Sequence, residues 1–570
     1  MFHMTSTVRD ALTRSIQRSP WHGWGDPADA HPLSDRSWSM LRRELGVTRR
    51  TPPEPPIDLE DVRIPDSRLT LEDLAALRAV VGTGQVHTDR LARVEHAAGK
   101  SYLDLRRLRD GDALDAPDAV ITPGSAAEVE ELLAVCRDRH LAVVPFGGGT
   151  SVVGGVAGSA GACPAAVSID LRRLNQMMSI DPVSRTAVFQ PGLRGPEVEA
   201  ALRPHGFTLG HFPQSHQEAT IGGYAATRSA GQASTGYGRI DDLVRGAVLA
   251  TPVGTLALDH RAPASAAGPR LLDLVVGSEG AFGIITEVTV SVVPVPTTTA
   301  YAAAAFPSFE AATEGLRHLA QDLPHGMRPD VVRLSDAEET RVTLALAGRA
   351  GGALAAYTKA RRLASACLVI LLWEGTDARV VSERRAAGWD VLRRAGGVRM
   401  PSAIARAWEK GRFAGPYLRD ELIGHGVLVE TLETATSWSN LVALHDSVAR
   451  AIRAESAAQG HPVIVQCHVS HLYAAGASLY FTVVAPEVAD PLAQWRAIKT
   501  AATSAIVAGG GTVTHHHAVG TDHLDGLATE VGDLGMRVLR AVKDTLDPTG
   551  ILNPGKLVPL PLASTDPSDA

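Results

Sequence analysis

Residues 141–151 have the sequence LAVVPFGGGTS, in which an unbroken apolar run leads straight into three glycines and two hydroxyl side chains. The apolar run predicts a buried strand at Leu141–Phe146. Consecutive glycines allow positive φ and let main-chain N–H groups approach an anion without interference from a Cβ. No GK[ST] follows, which excludes a Walker loop, and no helical pattern opens here, which excludes the GxGxxG fingerprint. Alone, the stretch fits a pyrophosphate site and equally a flexible surface turn.

Two further segments of the same kind favour the cofactor site. Residues 213–231 have the sequence PQSHQEATIGGYAATRSAG, and residues 276–285 have VGSEGAFGII. So many small residues are costly in a core unless something lies flat against the main chain. Residues 276–285, the third glycine-dense segment, lead into an alternating pattern at Thr286–Val293 that predicts a strand with one buried face. Three glycine-dense segments in order therefore predict a flat ligand that carries phosphate.

These segments, with YGRIDDLV at 237–244, resemble the FAD domain of the vanillyl-alcohol oxidase superfamily over residues 117–295. The resemblance implies an FAD cofactor, with the first loop at the pyrophosphate and the other segments along the isoalloxazine and adenosine. Members with covalent flavin usually place a His in or near the first loop. None lies there, so we expect non-covalent FAD, although histidines of the cap domain leave a link from that side open. The implied flavin-binding residues are Pro145, Phe146, Gly147, Gly148, Gly149, Thr150, Ser151, Gln214, Ser215, Thr220, Gly222, Gly223, Thr227, Arg228, Ser229, Ala230, Glu279, Gly280, Gly283, Ile284 and Ile285.

The same resemblance implies an α+β protein with the two-subdomain FAD-binding fold (vanillyl-alcohol oxidase / PCMH type) and an α+β cap domain. A chain of 570 residues exceeds the size at which one hydrophobic core keeps growing, so several domains are expected. The predicted division is an N-terminal arm and helical segment at 1–105, an FAD-binding domain at 106–295, a cap (substrate) domain at 296–545 and a C-terminal segment at 546–570 that returns to the FAD domain. Residues 1–60 show weak periodicity, which predicts an irregular arm.

Composition excludes several classes of protein. The net charge of −7, with 55 basic and 62 acidic residues, argues against a nucleic-acid-binding surface. The four cysteines have no CxxC spacing, which excludes a disulfide framework and a zinc cluster and fits the cytoplasm. The start, MFHMTSTVRDALTRS, lacks the apolar region of a secretory signal, and the end, STDPSDA, is neither a prenylation box nor a peroxisomal tripeptide. The longest apolar run, Leu363–Trp373, is too short to span a bilayer.

Residues 470–481, SHLYAAGASLYF, distinguish between members of the superfamily. FAD-linked 2-hydroxyacid dehydrogenases carry HxGDGNxH there and bind a divalent metal. This chain lacks the Asp, the Asn and the second His, and Tyr480 stands where that His would be. The stretch is instead similar to the alkyldihydroxyacetonephosphate synthase family, as are the segments WHGWG at 21–25, GRF at 411–413, PYLRD at 416–420, ETLET at 430–434 and THHHAVG at 514–520.

This second resemblance implies a reaction and a set of catalytic residues. The family exchanges the acyl group of acyl-dihydroxyacetone phosphate for a fatty alcohol in ether-lipid synthesis, through a flavin N5 adduct and without net redox change. It implies that Tyr480 is the acid/base, with a buried aromatic as the alternative. It implies that Arg419 contacts substrate, with an ion pair to Asp420 or Glu421 as the alternative. Arg333 matches another arginine of this family to which the family's function is sensitive.

The three consecutive histidines are catalytic candidates as well. If the segment is extended, His515 and His517 share one face and His516 takes the other, so at most two reach one ligand directly. A structural network of fixed tautomers is the main alternative. Metal binding by this pair with His471 or His523 stays open, but no carboxylate has the expected spacing, and we predict no metal site.

Two rival functions stay open: an FAD-dependent oxidase or dehydrogenase of an alcohol or 2-hydroxy acid, and a flavin-holding protein with a binding role. Several family members carry a basic residue near Thr521 that is absent here, which leaves the phosphate of the substrate uncertain. The predicted partners are a small lipid-like substrate, a second copy of the chain in a homodimer, and a membrane surface in peripheral contact, with no nucleic acid.

Overall fold

The computed structural model describes residues 19–259, 262–363 and 365–560. The predictions for the first fifteen residues and for the C-terminal STDPSDA lie outside the described residues. In the part of the chain that the structure describes, no helix combines the length and the apolar character needed to cross a bilayer.

The first half of the chain builds two sheets. Its strands are β1 (Val86–His87), β2 (Ala119–Ile121), β3 (Leu141–Phe146), β4 (Ala165–Asp170), β5 (Met177–Asp181), β6 (Thr186–Phe189), β7 (Phe207–Thr208), β8 (Val244–Thr251), β9 (Gly254–Leu258), β10 (Ile284–Ser291) and β11 (Val293–Pro294). One sheet has the order β1-β2-β4-β3, with β2, β4 and β3 parallel. The other is antiparallel with the order β5-β6-β10-β8-β9, and β11 pairs with β7 separately.

Each of these sheets has its own hydrophobic core, as a two-subdomain fold requires. Val143, Val167 and Ile169 lie in the core of the parallel sheet, and Val288 and Val290 lie in that of the antiparallel sheet. The buried strand predicted at the start of the glycine loop is confirmed as β3. The alternation predicted after the third glycine segment is confirmed in β10, although this strand begins two residues earlier and ends two residues earlier than predicted.

The second half of the chain builds one larger sheet. Its strands are β12 (Thr298–Phe306), β13 (Val331–Ser335), β14 (Cys367–Gly375), β15 (Val398–Met400), β16 (Val427–Ser437), β17 (Ile464–Val469) and β18 (Gly476–Pro486). All are antiparallel, in the order β15-β12-β14-β13-β17-β18-β16. The longest apolar run of the sequence supplies β14, which is central enough to bury Trp373 completely.

Helices cover these sheets and connect them. Their bounds are α1 (Asp35–Leu45), α2 (Leu71–Val81), α3 (Arg90–Glu95), α4 (Tyr102–Arg109), α5 (Ala126–Asp138), α6 (Gly195–Leu202), α7 (Ile221–Ala226), α8 (Ser234–Tyr237), α9 (Ile240–Leu243), α10 (Leu272–Val275), α11 (Phe309–Gln321), α12 (Ala337–Leu346), α13 (Gly348–Ala360), α14 (Ala378–Arg394), α15 (Ala403–Gly411), α16 (Gly415–Gly424), α17 (Leu441–Ala458), α18 (Pro491–Ala508) and α19 (Leu524–Leu546). Helices α11, α14, α17 and α18 pack on one face of the large sheet and complete its core.

Helix α1 corrects the prediction of an irregular N-terminal arm. Ser34 caps its first turn by accepting a hydrogen bond from the N–H of Ser37, and Gly46 ends it with φ +70°. Trp38, Leu41 and Leu45 then fall on one buried side. Prolines and histidines flank the helix, so the composition of residues 1–60 as a whole does not indicate it.

The turn-rich stretch near the C-terminus packs against the parallel sheet. The N–H of Val143 donates to the carbonyl of Ile551 at 2.8 Å, and the N–H of Asn553 donates back to Val143 at 2.7 Å. The last described residues therefore extend the edge of β3, the strand that leads into the first glycine loop.

Candidate flavin site and active site

A cavity of about 560 Å³ is lined by both halves of the chain. All three glycine-dense segments reach it from the first half, and strands β13, β16, β17 and β18 reach it from the second. The predicted flavin-binding residues that line it are Pro145, Phe146, Gly147, Gly148, Gly149, Thr150, Ser151, Gln214, Ser215, Thr220, Gly222, Gly223, Thr227, Ser229, Ala230, Glu279, Gly280, Gly283, Ile284 and Ile285.

Arg228 is the exception among the predicted flavin residues. It does not line the cavity, because its guanidinium turns away to donate hydrogen bonds to the carbonyls of Val276 and Asp273. Its backbone has φ +51°, which fits a residue at the sharp turn after α7. The structure thus makes Arg228 a link between the second and third glycine segments.

The main chain of the first glycine loop is arranged to receive an anion. None of the N–H groups of residues 147–151 donates a hydrogen bond to another residue within the described ranges. Such consecutive N–H groups without acceptors are rare in a folded protein, because each one left unpaired costs free energy. They lie beside the cavity that the other two segments share. A doubly phosphorylated ligand would satisfy them, so this loop fits the pyrophosphate of FAD.

The glycines of this loop are required by close packing. A Cβ on Gly148 would lie 2.1 Å from the carbonyl oxygen of Glu218, and Gly149 has φ +66° with the ring of Phe146 where its Cβ would be. Any larger residue would push the loop off residues 218–220. The first and second glycine segments therefore form one surface.

Tyr480, the predicted acid/base, lies on β18 and lines the cavity. Its ring stacks on His468 at a centroid distance of 4.7 Å, and the rings of His517 and His516 lie 5.6 and 6.0 Å away. Burial raises the pKa of Tyr480 to about 12, although a hydrogen bond with Thr431 lowers it. The hydroxyl is therefore protonated at neutral pH.

The two predicted arginines also line the cavity, and both have carboxylate partners. Arg333 donates to Glu339 at 2.6 Å and contacts Nδ1 of His468 at 3.1 Å. Arg419 donates to Asp420 at 2.8 and 3.1 Å. The structure therefore contains the ion pair that was the alternative to a substrate contact, and Arg419 borders the cavity as well.

The histidine loop is held by one buried carboxylate. Glu433 of β16 accepts hydrogen bonds from the main-chain N–H groups of His515 (2.5 Å), His516 (3.0 Å) and His517 (2.8 Å). The chain bends at residues 515–517 and is not extended, so the condition for the alternation of faces is not met. The three N–H groups converge on one side instead. Burial alone would raise the pKa of Glu433, but the imidazoles and N–H groups around it outweigh burial and hold that pKa well below its ordinary value.

The histidines themselves are neutral. Burial lowers the pKa of His515 and His516 to about 3 and that of His517 to about 4. His516 and His517 line the cavity, whereas His515 lies behind them. Ring nitrogens of His471, His515 and His516 lie within 4.8 Å of one another. This set differs from the metal site considered from the sequence, which combined His515 and His517 with His471 or His523.

Glu279 ties the same loop to the FAD domain. This predicted flavin residue lines the cavity, but its carboxylate accepts hydrogen bonds from the N–H groups of Val519 (2.8 Å) and Gly520 (2.7 Å). Burial raises the pKa of Glu279 to about 7. The histidine loop is thus fixed by one carboxylate from each half of the chain.

One end of the cavity is apolar, a feature that the sequence did not locate. Its wall combines α1, α12 and α16 with strands β16, β17 and β18. The residues that form it belong to one hydrophobic cluster: Leu33, Met40, Leu41, Val342, Leu346, Leu418, Leu422, Val429, Ile464 and Val484. Because these residues come from six separate elements and, for Leu33, from the loop before α1, periodicity within any one element could not indicate a common tunnel.

Known proteins with similar sequences and structures share this architecture. Residues 117–258 match the model of an FAD binding domain, and residues 295–557 match the C-terminal domain of FAD linked oxidases. An alkyldihydroxyacetonephosphate synthase from Dictyostelium discoideum is 33% identical over 95% of this chain and 94% of its own length. A solved structure of an alkyldihydroxyacetonephosphate synthase has a TM-score of 0.82 at 30% identity, covering 96% of this chain and 99% of its own.

The same fold extends to more distant enzymes. A structure of p-cresol methylhydroxylase with substrate bound has a TM-score of 0.67 at 16% identity, covering 86% of this chain and 97% of its own, which is a likeness of fold alone. The predicted α+β, two-subdomain FAD-binding fold is confirmed, and so is FAD as the cofactor.

Proposed function

The chain belongs to the alkyldihydroxyacetonephosphate synthase family of FAD-dependent enzymes, as its sequence predicts, and we propose that it exchanges the acyl group of an acyl-dihydroxyacetone phosphate for a fatty alcohol. The products are an ether of the ketone phosphate, which is an ether-lipid precursor, and a fatty carboxylate.

The observation that carries this proposal is the continuity of one cavity. Its anion-accepting glycine loop, the hydroxyl of Tyr480 and the apolar end formed by α1 all border the same space. A substrate that combines a ketone phosphate with a long hydrocarbon needs polar and apolar surface side by side, since buried apolar area stabilises the chain and donors stabilise the phosphate. A small hydroxy acid would leave the apolar end unfilled.

The residues of the chain divide the chemistry between them. When bound, FAD would supply the reactive ring system without net oxidation of the substrate. Tyr480 would donate and recover a proton near the ketone, because its hydroxyl rests in the protonated form. The guanidinium of Arg419 would bind an anionic group of the substrate or the departing carboxylate, since charge-assisted hydrogen bonds are the strong ones.

Direct product analysis tests the reaction. Purified protein loaded with FAD is incubated with acyl-dihydroxyacetone phosphate and an isotopically labelled long-chain alcohol, without oxygen and with an electron-accepting dye present. We expect the label in an ether product and no reduction of the dye. Dye reduction by an alcohol or a 2-hydroxy acid, without ether formation, would instead assign the chain to the redox enzymes of this fold. Bound flavin with no spectral response to any of these compounds would favour a binding role.

A pair of matched variants tests the acid/base. Tyr480→Phe should retain FAD and lose about 100-fold or more of its turnover, as expected for removal of a positioned acid/base. Tyr301→Phe is the control, because its hydroxyl donates to Glu409 at 2.7 Å within the core and does not border the cavity. Full turnover by Tyr480→Phe would remove the assignment.

The proposal also covers how FAD is attached, whether the protein contacts membranes, its compartment and its oligomeric state. The first glycine loop carries no His, which supports non-covalent FAD, and acid precipitation should then leave all flavin in the supernatant. A lipid-like substrate supports peripheral membrane contact, to be measured by flotation with phospholipid vesicles. We further propose a cytoplasmic homodimer, whose mass can be measured by light scattering.

A further inference from the structure

We propose that Tyr473, His515 and His516 form a proton relay that connects the cavity to the protein surface, with Arg239 at its outer end. The inference rests on the proposed function, because it assigns the path by which the reaction loses its proton. In this sense Tyr473 and His515 act through His516 and are positioning residues.

The inner part of the relay is a pair of facing imidazoles. His516 borders the cavity, and its Nδ1 lies 2.9 Å from Nδ1 of His515. The other ring nitrogen of His515, Nε2, lies 2.6 Å from the hydroxyl oxygen of Tyr473. These are hydrogen-bond distances, so three side chains form an unbroken line. Glu433 fixes both histidines through their main chain and thus holds this line in place.

The outer part of the relay reaches solvent. Burial raises the pKa of Tyr473 to about 12, and the guanidinium of Arg239 lies close enough to lower that pKa in part. The Arg239 side chain is 17% exposed and pairs with Asp241, which is 28% exposed. The guanidinium is positioned to stabilise negative charge on the phenol oxygen, which is what a tyrosine needs when it gives up its proton.

The geometry permits two complete arrangements of hydrogens. In the first, Tyr473 donates to Nε2 of His515, and Nδ1–H of His515 donates to Nδ1 of His516, so Nε2 of His516 carries the hydrogen on the cavity side. In the second, Nδ1–H of His516 donates to Nδ1 of His515, Nε2–H of His515 donates to the oxygen of Tyr473, and the hydroxyl hydrogen of Tyr473 points to solvent, so Nε2 of His516 is bare on the cavity side. The facing Nδ1 atoms require one of these two states, since a neutral imidazole has one N–H.

The reaction supplies a reason for such a path. An ester and an alcohol give an ether and a carboxylic acid, which leaves as the carboxylate, so each turnover releases one proton that comes from the alcohol hydroxyl. That proton is released inside the cavity, whose wall includes the apolar side chains of α1 and its cluster. When the relay is in the second arrangement, the proton enters at the bare Nε2 of His516, each hydrogen moves one step outward, and the hydroxyl hydrogen of Tyr473 is released. A solvent base takes it there, which leaves the relay in the first arrangement, and the hydrogens return to the second arrangement by exchange with water after the product has left the cavity.

The same histidines offer a competing use as a metal site. His471 lies near both relay histidines, and its buried Nδ1 has no hydrogen-bond partner within the described residues. The observed contact between Nδ1 of His515 and Nδ1 of His516 favours the relay, because a nitrogen that shares a hydrogen has no lone pair left for a metal. The two uses are therefore mutually exclusive and can be separated by metal analysis.

The first test uses the unmodified holoenzyme. Ether formation is measured in a single turnover in mixtures of H₂O and D₂O. A relay moves several hydrogens together, so the rate should fall in D₂O along a curved line as the deuterium fraction rises. A linear dependence, or none, would overturn the proposal. Zinc bound at one ion per chain and lost in His471→Ala would overturn it as well.

The second test compares Tyr473→Phe with Tyr301→Phe. We expect the first to lower single-turnover ether formation by about 10- to 100-fold with its FAD content unchanged, and the second to match wild type. Histidine labelled with ¹⁵N gives a readout independent of catalysis: imidazole signals should shift in Tyr473→Phe, because His515 loses its partner. Unchanged signals or an unchanged rate would contradict the relay. Wild-type protein that makes no ether would refute the proposed function, and the imidazole signals would still test the hydrogen-bonded line.

Discussion

The carboxylate of Glu433 holds the histidine loop, and the substitution Glu433→Gln measures how strongly. In the structure one oxygen accepts hydrogen bonds from the hydroxyl of Thr514 and from the N–H groups of His516 and His517, and the other accepts the N–H of His515. A glutamine of the same shape keeps one acceptor but turns an NH₂ donor toward one of these groups.

The loss can be estimated from these four contacts. Three hydrogen bonds would change from charged to neutral acceptors, at a loss of about 1 kcal/mol each, and the N–H of His515 would face a donor, at about 1–3 kcal/mol. The lower cost of burying an amide than a carboxylate offsets part of this sum. We therefore expect the loop to be destabilised by about 2–4 kcal/mol against local opening.

Hydrogen exchange read by mass spectrometry gives the direct measure. A change of this size should speed exchange of the amide hydrogens at residues 515–517 by about 30- to 700-fold, since about 1.4 kcal/mol is a factor of ten. Glu409→Gln is the matched control, because Glu409 is also buried but accepts its hydrogen bond from Tyr301, away from the loop. Equal protection of residues 515–517 in wild type and Glu433→Gln would show that something else holds the loop.

Three further perturbations follow from the site. Gly148→Ala would place a methyl group 2.1 Å from the carbonyl oxygen of Glu218, so purified protein should lose most of its flavin absorbance, whereas Gly411→Ala, with nothing within 4 Å of the new Cβ, should keep it. Leu346→Trp fills the apolar end of the cavity and should shift the preferred alcohol to shorter chains, measured by competition between alcohols; an unchanged preference would place the alkyl chain elsewhere. Burial lowers the pKa of His523 to about 4 from 6.5, so its contribution to stability is complete above pH 6.5 and is lost as pH falls toward that folded value. His523→Gln should therefore reduce the fall in the free energy of unfolding between pH 7.5 and 5.5 by about 1 kcal/mol, and an unchanged fall in chemical denaturation would contradict this account.

Features encoded within short segments could be predicted from the sequence. The glycine loop after β3 and the alternation of β10 follow from local rules about φ angles and strand faces. Tyr480 and the two arginines were identified by likeness to a family, and all three border the cavity, although their catalytic roles remain predictions. The domain boundaries likewise remain predictions.

Features that depend on distant contacts could not be predicted. Glu433 and His515 are separated by 82 residues, and Tyr473 and His515 by 42, so only the order of the large sheet brings them together. The bent path of the histidine segment could not be foreseen for this reason, because a carboxylate on another strand accepts its N–H groups. Arg228 is the one predicted flavin residue that does not border the cavity, since its backbone has a positive φ and its side chain turns away, and its role remains a prediction.

The double attachment of the histidine loop, to Glu433 on one side and Glu279 on the other, has a consequence for biosynthesis. Residues 515–520 leave the ribosome after the strands of all three large sheets, and the stretch that pairs with β3 follows them. A nascent chain can therefore form the core of the large sheet, whose residues end at Ile506, while its imidazoles are still unplaced. The active site would be completed only when the histidine loop attaches to both carboxylates. Chains truncated before this loop are therefore expected to be inactive.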